Sequence, residues 1–376
     1  MINHEYEVPL PGMYIQEEID ARGWAQRDLA FILGIEEAAL NKIIKGKTGI
    51  SIEMSKALAT AFDIDADFFS NLQKSFDLAN SAAPDPAIAR RASLQTRYPA
   101  REMIKRGWIK NSKVEVLEQQ LERFFRVSND NVAPIQHAAK KTNAGDDATP
   151  IQEAWLYRVM QIAEKMDCKP YSGKALSEAA LRLKGLMLNQ DDLTAVPKVL
   201  ADCGLRFVVV EGLSGAKIDG VCFWLDDARP VVGMSLRHDR IDNFWFVLWH
   251  ELAHVMNNDG KDVPIIDVEL EGERASGLDS AKVSAQERRA NAYAADKCVP
   301  AHELISFTAK RNDFFSERDV LHFAERMRVH PGVAVGQIHN RTGKYQLLRK
   351  YLVKVREYVL PAATVDGWGH VASVTI

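Results

Sequence analysis

The chain reads as an α+β protein that is predominantly α, and three observations predict this. Apolar residues recur at helical spacing through most of its 376 residues. β-rich runs are confined to Leu205–Glu211, Gly220–Leu225 and Pro230–Leu236, separated by turns containing Gly and Asp. The first eighty residues break into short helices punctuated by Gly23, Gly34 and Gly46. A chain this long exceeds one ordinary core, so two or three domains are expected.

The N-terminal elements follow in order. Pro11-Gly12 opens a helix to about Arg22, and Gln26–Leu33 is the second. Gly34 makes a left-handed turn into a third helix, Glu36–Lys45. Ser51 caps a fourth through Phe62, and Asp67–Leu78 is a fifth. The spacing Gln26-x3-Ala30-x3-Gly34-x5-Leu40 is that of a helix-turn-helix: a small residue where two helices cross, a glycine turn, and an apolar anchor on the recognition helix. Residues 1–80 are therefore expected as a DNA-binding module. Glu37, Asn41, Lys42, Lys45 and Lys47 are its candidate contacts: the glutamate to a base, the lysines to the backbone.

Charge limits that expectation. Residues 1–80 carry seven Lys/Arg against thirteen Asp/Glu. Few phosphates can be neutralised, so non-specific DNA binding should be weak and operator binding should need a dimer. An acidic face equally suits a basic protein partner. Arg90, Arg91, Arg97, Arg101, Lys105 and Arg106 form a basic stretch that either assists DNA or is a solvated helix face.

Asn80–Pro86 is a linker by composition, followed by a basic helical stretch over 88–127 and a polar loop over 128–150. Residues 81–150 are thus expected as a helical linker region. From Ile151 two amphipathic helices and a third, Asp191–Cys203 closed by Gly204, precede the β-rich runs. Those runs predict a small, mainly antiparallel sheet. A long helix over Asp242–Asn257 follows, then an irregular acidic segment over 260–277, a helix from Ser284 to Pro300, and another over 316–329.

The long helix carries FWFVLWHELAH, residues 244–254. His250 and His254 lie one turn apart on one face, the spacing for two imidazole ligands to one Zn2+. Glu251 sits beside them, placed to take a proton from a water the metal activates. A third ligand is needed, and no histidine follows before His302, so it should be a carboxylate. Glu287 is the first candidate, with Glu269, Glu271, Glu273 and Asp296 behind it. Ser284-x-x-Glu287 is also a capping-box pattern, which alone would account for that glutamate. Asn291, one turn after Glu287, can fix the tautomer of a ligating histidine. Tyr293, His330 and His339 are the candidates to steady an oxyanion.

DNFWFVLWHELAH, then ERRANAYAADKCVP, then VHPGVAVGQIHNR together resemble the ImmA/IrrE metallopeptidases over roughly residues 151–345, leaving 346–376 as a C-terminal extension. Tyr293 stands where that family usually has Phe, and Lys297-Cys298 where it has two leucines. The resemblance implies a gluzincin-like zinc domain, Glu287 as third ligand and peptide-bond hydrolysis. PLPGMYIQEEIDARGWAQRDLAFILG with NKIIKGKTGIS resembles the HigA-type helix-turn-helix antitoxins over about residues 9–78. Two functions follow as expectations. One is a regulator that couples operator binding to cleavage of a repressor or antitoxin. The other is an antitoxin and autorepressor that neutralises a cognate toxin by contact, its peptidase-like domain a sensor or scaffold.

Four scattered cysteines without a C-x-x-C pair suit a reducing compartment and exclude a thiolate zinc site. The first residues lack the pattern of a signal peptide, and no apolar run spans a bilayer. A cytoplasmic protein with no membrane partner is expected.

Overall fold

The computed structural model describes residues 8–127, 140–141, 148–268, 270, 284–309, 314–367 and 370–372. They divide into two compact units, one up to Ile88 and one from Ala89 on.

The first unit is all-α: α1 (Pro11–Ala21), α2 (Gln26–Leu33), α3 (Glu37–Ile44), α4 (Ile52–Phe62) and α5 (Phe68–Asn80). Its boundaries have local causes. Gly34 ends α2 at φ 66°, its N–H bonded to the carbonyls of Ala30 and Phe31. Ser51 Oγ accepts from Met54 N at 3.2 Å and caps α4. Ile15, Ile19, Leu29, Leu40, Leu58, Phe62 and Phe69 form its core. Ala30 is buried where α2 packs among them.

The second unit is layered on one sheet. Its strands are β1 (Lys140–Lys141), β2 (Arg206–Val210), β3 (Ile218–Trp224), β4 (Pro230–Met234), β5 (Ile265–Val268), β6 (Thr364–Gly367) and β7 (His370–Ala372), in the order β1-β5-β3-β4-β2-β6-β7. Side chains alternate across it. Val208, Val210, Val221 and Val231 join α9 (Pro150–Ala163) on one face. Phe207, Val209, Cys222 and Val232 join α12 (Ile241–Met256) on the other. Two covered faces explain why β2 reads as an unbroken apolar run. Between α9 and β2 come α10 (Gly173–Gly185) and α11 (Val196–Asp202). A 3₁₀ turn over Asp191–Ala195 precedes α11, so the helix expected over 191–203 is broken just before Pro197.

Two expectations are corrected and one is refined. The small sheet is mixed: β3 pairs antiparallel with β4 and β5 and β6 with β7, while β2 runs parallel to β4 and β6, and β1 to β5. β4 inserts between β2 and β3, so those two consecutive strands are not neighbours, and turn residues alone cannot reveal that. The region 81–150 is not simply a linker. It holds α6 (Pro86–Arg97), α7 (Ala100–Lys105) and α8 (Val114–Phe125). Tyr98 stacks on Phe125 at 4.7 Å, and Phe125 meets Tyr157 of α9 edge-on at 5.2 Å, within the core under the sheet. The C-terminal extension contributes β6, paired with β2. The irregular segments also hide strands, since Lys140–Lys141 pairs with Ile265 and Ile266 of β5. The first seven residues, most of the polar loop, and residues 269 and 271–277 of the acidic segment lie outside the described residues. Among the described residues no helix is long and apolar enough to cross a membrane.

A candidate metal centre

The centre is built on α12, which is apolar on all sides and buried along nearly its whole length. His250, Glu251 and His254 are each 0% exposed. Across α12 packs α13 (Ala285–Cys298), where buried Ala290 and Ala294 permit close approach. Glu287 and Asn291, one turn apart on α13, face the histidines. Glu287 Oε2 is 3.2 Å from His250 Nε2, and its Oε1 is 3.5 Å from His254 Nε2. Ser284 does cap α13, its Oγ accepting from Glu287 N at 3.2 Å. The Glu287 carboxylate is turned to the histidines, so capping does not account for it.

Each imidazole is held from behind. His254 Nδ1 donates to Asp259 Oδ2 at 3.0 Å, and Gln286 Nε2 donates to the other oxygen of Asp259 at 2.9 Å. His250 Nδ1 lies 3.1 Å from Asn291 Oδ1 and donates to it. In the neutral rings both Nε2 atoms are then acceptors, 3.0 Å apart and facing Glu287. Two lone pairs and a carboxylate turned on one point without a donor between them call for a cation. Glu287 Oε2 has no hydrogen-bond partner despite its burial.

A fourth group completes the cluster: Asp267 of β5, 0% exposed, with Oδ2 3.3 Å from His250 Nε2. His250, His254, Asp267 and Glu287 present ligand atoms all within 4.8 Å of one another. Burial depresses the His250 imidazole, but Asp267 and Glu287 outweigh it and raise it to about 10. His254 shifts the same way for the same reasons. Burial raises Asp267, yet the two imidazoles pull it below its ordinary value. This buried negative charge needs compensation that a divalent cation supplies. The donor set, nitrogen and oxygen only, suits zinc.

Glu251 is placed by what β3 lacks. A Cβ on Gly220 would lie 2.1 Å from Glu251 Oε1, so glycine there leaves room for the carboxylate. The β3–β5 register shifts between Ile218 and Gly220, turning Asp219 out of the regular ladder. Asp219 Oδ1 accepts from Arg237 Nε at 3.0 Å and Oδ2 from Leu270 N at 2.7 Å. The Glu251 carboxyl lies against that of Asp267, close enough to share a proton with it. Burial, then Asp267 and Glu287, push its carboxyl well above the ordinary range. The arrangement is two imidazoles, two carboxylates and a strongly basic third carboxylate beside them.

The remaining candidates have other neighbours. Asp296 is exposed and accepts from Ala301 N at 3.2 Å. His330 caps α14 (Pro331–Thr342), its Nδ1 accepting from Gly332 N at 3.0 Å. His339 Nε2 donates to Leu347 O at 2.6 Å. Tyr293 meets the Trp249 ring edge-on at 6.3 Å. Glu269, Glu271 and Glu273 lie outside the described residues. Sequence reasoning missed Asp259, Asp267 and Gly220. The apolar β-branched residues around Asp267, Ile265-Ile266 and Val268, were the signal for a strand in what was read as irregular chain.

In the first unit, Glu37, Lys42, Lys45 and Lys47 are exposed on or beside α3. Asn41 Nδ2 donates to Gln26 Oε1 at 3.2 Å, and Gln26 Nε2 to Gln16 Oε1 at 2.8 Å, which ties α3 to α2 and α1. Of the basic stretch, Arg90 pairs with Glu115 and Glu118 of α8. Arg106 is buried and donates to Gly212 O at 2.7 Å. These two are structural.

No solved structure matches this chain. A 72-residue stretch is 39% identical to Virulence-associated protein A' of Dichelobacter nodosus, covering 19% of this chain and 63% of that protein. Residues 15–69 match the helix-turn-helix family HTH_3. The N-terminal unit therefore carries a helix-turn-helix domain, which supports a DNA-binding, transcription-regulating role.

Proposed function

We propose that this chain is a regulator joining operator binding to zinc-dependent cleavage of a regulatory protein, a repressor or antitoxin, in the manner of the ImmA/IrrE metallopeptidases it resembles. Glu251 carries the proposal. A purely structural metal site needs no further carboxyl group, fully buried, beside its ligands. His250, His254 and Glu287 would hold the zinc. When bound, it would supply Lewis acidity toward water and a peptide carbonyl. Glu251 would then accept the water's proton and return it to the leaving amine. Asn291 and Asp259 would hold the Nδ1 protons and so turn both Nε2 atoms to the metal.

The test is Glu251→Gln. It should retain one zinc per chain, by metal analysis, and lose cleavage of a co-expressed neighbouring gene product by about 10²-fold or more. Wild-type cleavage in that variant would place the base elsewhere. The acidity of residues 1–80 favours a second reading, in which a basic toxin is neutralised by contact. A stable complex with such a neighbour, formed equally well by Glu251→Gln, would support it.

A further inference from the structure

Resting on the metal-centre reading above, we propose that Asp267 is a fourth protein ligand, and that in this conformation the centre is shut. The place a catalytic site reserves for water is held by Asp267.

Geometry carries this. Four ligands placed tetrahedrally at ~2.0–2.1 Å from one metal stand ~3.3 Å from each other. From His250 Nε2 the separations are 3.0 Å to His254 Nε2, 3.2 Å to Glu287 Oε2 and 3.3 Å to Asp267 Oδ2, and one ligand atom from each of the four residues lies within 4.8 Å of every other. Asp267 thus stands from His250 as Glu287 does. It is held there by backbone rather than by a mobile side chain alone, since β5 pairs with β3, and Asp267 lies opposite Gly220 in the register.

Charge agrees. With both imidazoles neutral, the Asp267 and Glu287 carboxylates supply the two negative charges that match a dication within the ligand set. Four protein ligands mark closed sites, whereas hydrolytic sites keep one position open. This chain combines a closed set with the base of an open one. Glu251 gains a water to act on only when Asp267 leaves, which makes Asp267 a restraint on the proposed hydrolysis.

The experiment replaces zinc with Co2+ in the full-length protein and follows its visible spectrum during titration with acetohydroxamate, a probe that needs an open position. The wild-type spectrum should be four-coordinate and unmoved. Asp267→Ala should bind Co2+ at least about tenfold more weakly in chelator competition, and its spectrum should shift with the probe. Asp267→Asn, closer in volume, serves the same purpose if the alanine variant does not fold by circular dichroism. A wild-type spectrum that shifts with acetohydroxamate, or a folded variant with unchanged affinity, overturns the fourth ligand and leaves the His250–His254–Glu287 site standing. A wild-type protein that binds no Co2+ overturns both.

Discussion

At Gly220 a single missing carbon decides where Glu251 can sit, because a Cβ there would fall 2.1 Å from its Oε1 and 3.1 Å from its Cγ. Gly220→Ala should push the carboxylate off its place without touching a ligand. We expect zinc content near wild type and cleavage reduced about 10²-fold, the low end for losing a positioned base. Metal analysis alongside a cleavage assay would read both, and undiminished cleavage would show that Glu251 tolerates displacement. Glu287 is legible at this scale only in part. Its residue type and its place one turn before Asn291 are in the sequence, but the cap offered a second explanation until its carboxylate was found facing both histidines.

Among the elements, α12 is the one on which the second unit depends. Trp245 and Trp249 stack at 6.3 Å inside the core, and Trp249 Nε1 donates to Met187 Sδ at 3.4 Å. Trp249→Ala should cost about 3–5 kcal/mol, measured as a lowered denaturant midpoint. A loss under about 1 kcal/mol would mean that the neighbouring helices collapse to fill the cavity. In the first unit, α3 is held by buried Leu40 and Ile43 and by the Asn41–Gln26 bond, which leaves Lys42 and Lys45 exposed. Lys42→Ala or Lys45→Ala should weaken operator binding uniformly across sequences and lower the salt slope by about one each. Titration against the upstream region of its own gene and a scrambled duplex at two salt concentrations checks this. A changed sequence preference in either variant would instead assign that lysine to a base.

For the molecule as a whole, two units with separate cores should respond separately to loss of metal. Removing the proposed zinc would leave the buried carboxylates of the second unit uncompensated, and a ligand held at 100 times its Kd stabilises by about 2.7 kcal/mol. Chelation should therefore lower the melting transition of the second unit by several degrees and leave that of the first in place. Equal shifts in both would tie the first unit to the metal. The protein is acidic in its first eighty residues despite a net charge of only −3 overall, so DNA affinity must come from a few contacts and not from the general field.

Local physics made most elements and half of the site readable. Helix spacing alone sets His250 and His254 on one face because a helical turn brings residues four apart together. Gly34 and Ser51 mark boundaries because their effects act within a turn. What the sequence determined by itself was thus the helical modules, the imidazole pair and the glutamate beside it. Tertiary structure decided the rest: that β4 lies between β2 and β3, that residues 98–125 share the core of the second unit, and that β6 joins the sheet. It also brought Asp267 to the histidines. Asp267 lies thirteen residues beyond His254, and only the pairing of β5 with β3 carries it back across that loop. Pairings of that kind depend on which apolar faces bury against each other, an energy spread over the whole core and written at no single position.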